Sequence, residues 1–158
     1  MLTLQSKNTP YYIYTMENTH ERDAELFASY CRYIRQTNTT HAQAVKAAVN
    51  SPASRYWISP NYLYREIIRR RHGDSHLPSR KLMKSSLYDQ LYNDYLDMRM
   101  RPLWRDLSME ALCDLLVNRP APSFFISEKR GDEIIRRYRL RLREREMQMK
   151  AIIQNNKP

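Results

Sequence analysis

A short segment occurs twice in this chain, and the repetition constrains the fold more than any other feature. The sequence VNSPASRYWIS, from Val49 to Ser59, returns 68 positions later as VNRPAPSFFIS, from Val117 to Ser127. Six of the eleven positions are identical, and the two aromatic positions keep their character. Just downstream, EIIRR from Glu66 is echoed from Glu133 at an offset of 67. Such repetition is the sequence signature of a tandem supersecondary unit.

The residues around each copy predict α-helices, because apolar side chains recur there at helical spacing. Glycine is scarce, with 2 in 158 residues, which argues against a turn-rich β fold. The predicted N-caps of the helices are Asn18, Thr40, Ser59, Ser108 and Ser127. We therefore expect an all-α fold made of two tandem helix–proline loop–helix modules, helix-turn-helix-like, with a long basic C-terminal helix.

Breaks in the helical pattern divide the chain into four parts. Pro52 interrupts the first repeat, Gly73 ends the helix after it, and Pro102 breaks a later helix. The predicted parts are an N-terminal arm at 1–18, a first module at 19–73, a linker at 74–80 and a second module at 81–158. The arm, with its cluster of tyrosines, is expected to be extended.

The aromatic residues of the two loops are expected to wedge the helices apart. Trp57 and Phe125 occupy the same place in the two copies. We predict that both are largely buried, each between the helices of its own module, so that Trp57→Ala costs ~3–5 kcal/mol. In the second module, the helix that Ser108 caps carries Leu112, Leu115 and Leu116.

Charge indicates a polyanionic partner. Lys and Arg number 27 against 17 Asp and Glu, which gives a formal net charge of +10. Small proteins of this balance commonly meet nucleic acid, although a charged solvated surface is the simpler alternative. The N-terminus lacks the apolar core of a signal peptide, and no run reaches the length of a membrane span. We expect a cytoplasmic protein that does not enter membranes.

The helix after each proline loop carries the candidate contacts. Asn61, Tyr62 and Arg65 lie near the start of the first of these helices, the part of a recognition helix that meets base edges. Arg55, Arg70 and Arg71 better suit contact with phosphate, where charge without a defined register is sufficient. The predicted nucleic-acid-binding residues are Arg55, Asn61, Tyr62, Arg65, Arg69, Arg70, Arg71, Lys129, Arg130, Arg136 and Arg137. The alternative for the first helix is a solvated face whose basic end complements the helix dipole.

The final helix carries arginines that spread around its cylinder. Arg139, Arg141, Arg143 and Arg145 alternate in sequence, so they do not form one face. This stretch is expected to project into solvent, to lie along a polyanion, or to pack in a homo-oligomer through Ile134, Tyr138, Leu142 and Met149.

The sequence contains no recognisable pattern of catalytic residues, so we expect a protein that is not an enzyme and has no cofactor. His72 and His76 are four apart, but Gly73 interrupts the helix and no third metal ligand is near. Cys31 and Cys113 form no CxxC motif, and each lies on an apolar face as an inert thiol does.

The doubled motif Val-Asn-x-Pro-Ala-x-x-aromatic-aromatic-Ile-Ser, followed by a basic helix, resembles a family of small basic proteins from gut Bacteroidetes and their phages and mobile elements. The resemblance covers about residues 20–145. It implies a phage or mobile-element setting and transfers no site residue. Small terminase subunits, which form rings, are one class found in that setting.

The sequence therefore predicts a non-enzymatic DNA-binding protein whose partner is double-stranded DNA. One alternative is a small-terminase-like packaging subunit that forms an oligomer. A second alternative, of another class, is an interaction or structural protein whose basic helices dock on an acidic protein. Affinity for random duplex DNA, measured at several salt concentrations, separates these possibilities. A protein that docks on an acidic partner would show little duplex affinity.

Overall fold

The chain folds into six α-helices in the computed structural model, which describes residues 9–73 and 82–157, with side chains for 19–73 and 86–157. No β-strand occurs in those stretches, so the predicted all-α class is confirmed. The helices are α1 (Thr9–Ile34), α2 (His41–Val49), α3 (Pro60–Arg71), α4 (Leu82–Met100), α5 (Met109–Val117) and α6 (Glu128–Asn155).

Four of the predicted N-caps are confirmed. Thr40 begins α2 with a capping box, in which its side chain accepts from the Gln43 amide and the Gln43 side chain accepts from the Thr40 amide. The hydroxyls of Ser59, Ser108 and Ser127 accept from the backbone amide three residues ahead. Each hydroxyl satisfies an amide that has no partner within its helix, which fixes where the helix starts.

The fifth predicted cap is wrong, because α1 begins at Thr9 rather than after Asn18. Asn18 lies inside the helix, so its spacing to Glu21 does not form a capping box. Pro10 falls in the first turn, where a missing amide hydrogen costs no helical bond. The expected extended arm is therefore helical from residue 9, and residues 1–8 lie outside the described part.

The predicted helix ends agree with the structure. Gly73 follows α3 with a φ of 78°, a left-handed conformation that glycine adopts without strain. Helix α4 ends at Met100, two residues before Pro102. The predicted linker 74–80 lies outside the described residues.

Helix α5 buries one face and leaves one of its three leucines at the surface. Leu112, Cys113, Leu116 and Val117 are buried, whereas Leu115 is 43% exposed. At 100° per residue the four buried positions form one arc, and Leu115 falls beside that arc.

The two proline loops cross and hydrogen-bond to each other. Ala53 and Ala121 form an antiparallel bridge, each amide donating to the other carbonyl at 3.0 Å. The Tyr56 amide donates to the Val117 carbonyl at 3.0 Å, and the Phe124 amide donates to the Val49 carbonyl at 3.2 Å. The offset of 68 relates these contacts: Tyr56 and Val117 correspond to Phe124 and Val49. The Ala53–Ala121 bridge corresponds to itself. The two repeats are thus related by a pseudo-twofold axis near Ala53 and Ala121.

The crossing exchanges the last helix between the repeats. Helices α1, α2 and α6 pack together, and α3, α4 and α5 form the second cluster. In the described part of the chain, α2 does not pack on α3 and α5 does not pack on α6. The modules 19–73 and 81–158 are units of the sequence repeat, and each packed cluster combines helices from both.

The exchange overturns the packing predicted for the loop aromatics. The first aromatic of each pair is the buried one: Tyr56 and Phe124 are each 4% exposed. Trp57 and Phe125 are half-buried, and Phe125 stacks on Tyr56 of the other repeat at 6.0 Å between ring centroids. Phe125 therefore packs on an aromatic ring of the other repeat. The cost of ~3–5 kcal/mol for Trp57→Ala stays a prediction, and Trp57 packs against the core from a half-buried position.

The serine caps set the register between α3 and α6. The buried residues Glu66 and Ile67 of α3 correspond to the buried Ile134 and Ile135 of α6 at an offset of 68. The EIIRR echo, at an offset of 67, is one residue out of this register. Its members therefore do not occupy equivalent places on the two helices.

Candidate nucleic-acid interface

The start of α3 presents polar side chains to solvent. Ser59 caps the helix by accepting from the Tyr62 amide at 3.2 Å, and Pro60 occupies its first turn. Asn61 and Arg65 are exposed, and Tyr62 is 50% exposed. These three predicted base-contacting residues lie within two turns of the helix N-terminus, as a recognition helix requires.

Arg70 has an internal role that sequence reasoning missed. Its guanidinium donates to Glu66 at 3.2 Å and to Asp89 of α4 at 2.6 Å, and the side chain is 14% exposed. Burial acts to lower the pKa of Arg70, but the hydrogen bonds to Asp89 and Glu66 outweigh it and raise the pKa. Arg70 therefore joins α3 to α4.

The remaining basic residues of the first repeat differ in their surroundings. Arg69 is half-buried and pairs with Glu66 at 3.3 Å, whereas Arg71 is exposed in the last turn of α3. Arg55 is half-buried in the loop, with its guanidinium 5.3 Å from the centre of the Trp57 ring. Arg71 is thus the most accessible of the three.

The first turns of α6 carry the second set of predicted residues. Lys129, Arg130, Arg136 and Arg137 are all exposed. Arg130 donates to Glu133 at 3.1 Å and Arg136 donates to Asp132 at 2.9 Å, which holds both guanidinium groups along the helix surface. Exposed pairs of this kind are weak and exchange readily with other anions.

The predicted residues form two surfaces rather than one. Helices α3 and α6 belong to different clusters and do not pack on each other in the described part of the chain. The α3 surface carries Asn61, Tyr62, Arg65 and Arg71, and the α6 surface carries Lys129, Arg130, Arg136 and Arg137.

A cleft between α1 and α6 brings two of the predicted residues together with two that were not predicted. Arg130 and Arg137 line it together with Arg22 of α1 and Arg141 of α6. Arg141 lies four residues after Arg137, a spacing that places both on one helix face and was available in the sequence. No local pattern in the sequence indicates that Arg22 lies beside them, because that contact depends on how α1 packs on α6.

A polar network ties α6 to α1 and α2. The Tyr30 hydroxyl contacts His41 Nδ1 at 2.8 Å, and His41 Nε2 contacts Asp132. Arg139 donates to the Tyr30 hydroxyl at 2.9 Å. The hydrogen bond with His41, followed by that with Arg136, holds the pKa of Asp132 below its usual range. Because Tyr30 is only 3% exposed, the network positions helices and presents no reactive hydroxyl to solvent.

Cys113 lies in the core, whereas Cys31 is half-buried on α1. Cys113 is fully buried, and burial, followed by the charge of Glu110, raises its pKa to about 11. Such a thiol stays protonated at neutral pH. Among the described residues, no three His, Cys, Asp or Glu side chains are grouped to hold a metal ion, and His76 lies outside that set.

Comparison with protein-family models, with curated proteins and with solved structures gives no match. None of the described helices combines the length and apolar character needed to cross a membrane.

Proposed function

We propose that this chain is a non-enzymatic protein of phage or mobile-element origin that binds double-stranded DNA in the cytoplasm. The observation that carries the proposal is the placement of α3 and α6. Each follows a proline loop, each presents exposed basic or polar side chains from its first turns, and the crossed loops fix one relative to the other. The net charge of +10 favours a polyanion at these surfaces.

The α3 surface supports base contact and the α6 surface supports phosphate contact. Asn61 can pair with adenine and Arg65 with guanine through two hydrogen bonds in the major groove. Arg71 of α3 and Arg130 of α6 supply charge, which positions a protein on the duplex without reading sequence. We assign Arg70 to the fold and leave it out of this interface, because it is bound to two carboxylates.

The geometry departs from a helix-turn-helix unit. In that unit the recognition helix follows the preceding helix after a turn of three or four residues. Here nine positions separate Asn50 from Ser59, and α3 packs on α4 and α5 instead of α2. We therefore propose that α3 acts as a recognition helix supported by the other repeat.

The test is duplex binding measured by fluorescence anisotropy at several salt concentrations. We expect the logarithm of affinity to fall with the logarithm of salt, at ~0.9 per phosphate neutralised. Asn61→Ala or Arg65→Ala should relax the preference for one base, at a cost of ~1–3 kcal/mol in binding free energy. Arg71→Ala should weaken binding to all duplex sequences equally. A wild-type protein with no duplex affinity at low salt would show that the proposal is wrong.

The end of α6 supports a second candidate, an oligomeric DNA-packaging subunit that resembles small terminases. Large apolar side chains there are more than half exposed: Leu140, Met147, Met149, Ile152 and Ile153. Exposed apolar residues on a projecting helix are typical of an assembly surface. Size-exclusion chromatography with light scattering tests this candidate, and a monomer at all accessible concentrations would contradict it.

A third candidate uses the same basic surfaces to dock on an acidic protein. It shares the charge of the first proposal but needs no duplex affinity. A protein that fails to bind duplex at low salt, yet is retained on an acidic polypeptide, would favour this candidate over the DNA proposal.

A further inference from the structure

The cleft between α1 and α6 brings four arginines and a histidine together at one open groove of the described part of the chain. It has a volume of ≈ 360 Å³. Arg22 and His20 line it from α1, and Arg130, Arg137 and Arg141 line it from α6. The three α6 residues are spaced by seven and four positions, so they share one face of the helix.

Acidic groups in and around the cleft neutralise only part of this charge. Asp23 is the one carboxylate of its described lining, and it is 4% exposed and held by Arg22 at 2.9 and 3.1 Å. Arg130 pairs with Glu133 outside the cleft. Arg137 and Arg141 make no ion pair with any residue in the described stretches. Like charges four residues apart destabilise a helix, and an anion between them removes that repulsion.

The sequence repeat supplies an internal comparison. At the offset of 68, Arg130, Arg137 and Arg141 correspond to Tyr62, Arg69 and Gly73. Arg69 is the single arginine of that second set, and it pairs with Glu66 at 3.3 Å. The basic cleft therefore belongs to one half of the pseudo-symmetric molecule and is not a by-product of the shared architecture.

We propose that this cleft is a phosphate-binding site in which Arg137 and Arg141 bind one phosphate group and Arg22 closes the site from α1. Guanidinium groups present paired donors that match phosphate oxygens, which a lysine cannot do. The buried Asp23 orients Arg22, because it accepts from both Nε and Nη2 of that side chain. The assignment of this phosphate to a DNA backbone rests on the proposed function, whereas the site itself does not.

The experiment uses the full chain and a pair of matched variants. Arg137→Gln with Arg141→Gln removes two charges from the cleft. Arg143→Gln with Arg145→Gln removes two charges from exposed positions of the same helix that lie outside the cleft. Thermal unfolding verifies that each variant is folded. Arg137→Lys with Arg141→Lys keeps the charge and removes the paired donors.

Two probes separate the sources of the phosphate. Inorganic pyrophosphate, followed through the NMR signals of the arginine Nε–H groups, tests the site alone. We expect those signals to shift in the wild type and in the Arg143/Arg145 variant, and to show no saturable shift in the Arg137/Arg141 variant. The lysine variant should bind pyrophosphate more weakly than the wild type.

A short random-sequence duplex tests whether DNA supplies the phosphate. We expect the Arg137/Arg141 variant to lose about tenfold or more in affinity, and to lower the salt slope by about one to two, relative to the Arg143/Arg145 variant. Pyrophosphate binding without duplex binding by the wild type would support the site and contradict the proposed DNA function. Equal losses in the two variants, or no pyrophosphate binding by the wild type, would overturn the site.

Discussion

Gly131 is a point of close approach between the two sequence repeats. It lies on the buried face of α6, and a Cβ atom there would be 2.4 Å from Cγ1 of Val49 on α2. In an exposed helix Gly→Ala stabilises by ~0.5–1 kcal/mol. We predict the opposite sign here: Gly131→Ala lowers the free energy of unfolding by about 1–3 kcal/mol, measured by urea denaturation.

Val49→Ala provides the control for Gly131, because it removes the methyl group that a Cβ would meet. The double variant should lose less unfolding free energy than the sum of the two single losses, because the two residues are in contact. Additive losses would show that the two helices do not meet at this point.

Asp132 should give the molecule a pH-dependent stability on the acid side. Its folded pKa is depressed, first by the hydrogen bond with His41 and then by that with Arg136. The stabilisation is present above the unfolded pKa, ~3.9, and is lost as pH falls through the folded value. Asp132→Asn should therefore cost stability at pH 7, and the difference from wild type should shrink as the pH falls below about 4. Chemical denaturation at neutral and acidic pH measures both, and a pH-independent difference would contradict the assignment.

Neighbouring arginines at the end of α3 should have opposite effects, because the helix turns one inward and the other outward. Arg70 is bound to Glu66, which is 6% exposed, and to Asp89. Arg70→Ala should cost about 3 kcal/mol of stability, since it leaves a buried carboxylate with fewer partners. Arg71→Ala should change stability by less than about 0.5 kcal/mol.

For duplex affinity, Arg71→Ala should have the larger effect and Arg70→Ala the smaller one. If Arg71 contacts phosphate, Arg71→Ala weakens binding at low salt, while a folded Arg70→Ala protein binds almost as the wild type does. Anisotropy titrations below the unfolding temperature of each variant make the comparison. If a folded Arg70→Ala protein binds duplex more weakly and Arg71→Ala does not, then Arg70 belongs to the interface.

At the scale of the element, the sequence predicts what depends on neighbouring residues. Serine caps fix the starts of α3, α5 and α6 through hydrogen bonds that reach three positions ahead. The start of α1 was not predictable in this way, because Asn18 and Glu21 fit a capping box only if the preceding chain is not helical. That condition depends on residues that carry no strong helix signal of their own.

The sequence predicts which residues of the candidate site are exposed, but not which residues of different helices come together. Exposure of Asn61, Arg65 and Arg71 follows from the polar face of one amphipathic helix. The internal role of Arg70 depends on Asp89, which comes from another helix. The cleft likewise depends on α1 meeting α6, a contact between residues more than a hundred positions apart.

At the scale of the whole molecule, the repeat predicted two equivalent units but not which helices pack together. Both repeats present the same loop donors and acceptors, so closing each module on itself and exchanging the last helices satisfy the same sequence pattern. The helix packing shows that the exchange occurs, because α6 packs on α1 and α2 while α3 packs on α4 and α5. Domain-swapped proteins exchange equivalent elements in the same way between separate chains.

The exchange predicts how the chain behaves when it is cut. A fragment ending at Gly73 lacks the α5 and α4 surfaces that cover Leu63 and Ile67 of α3. A fragment starting at Leu82 lacks the α1 and α2 surfaces that cover Ile134 and Ile135 of α6. Each fragment therefore leaves large apolar side chains without a partner, and neither should fold as a stable monomer.

Mixed together, the two fragments should assemble one to one, because the loop hydrogen bonds and both helix clusters form between them. We expect circular dichroism of either fragment alone to show little cooperative unfolding, and the mixture to regain helix content and a cooperative transition whose midpoint rises with concentration. A self-dimer of the first fragment is disfavoured, because Leu63 would have to occupy the place of Gly131 against Val49. A first fragment that unfolds cooperatively as a monomer would mean that its helices pack on each other, and the exchanged architecture would be wrong.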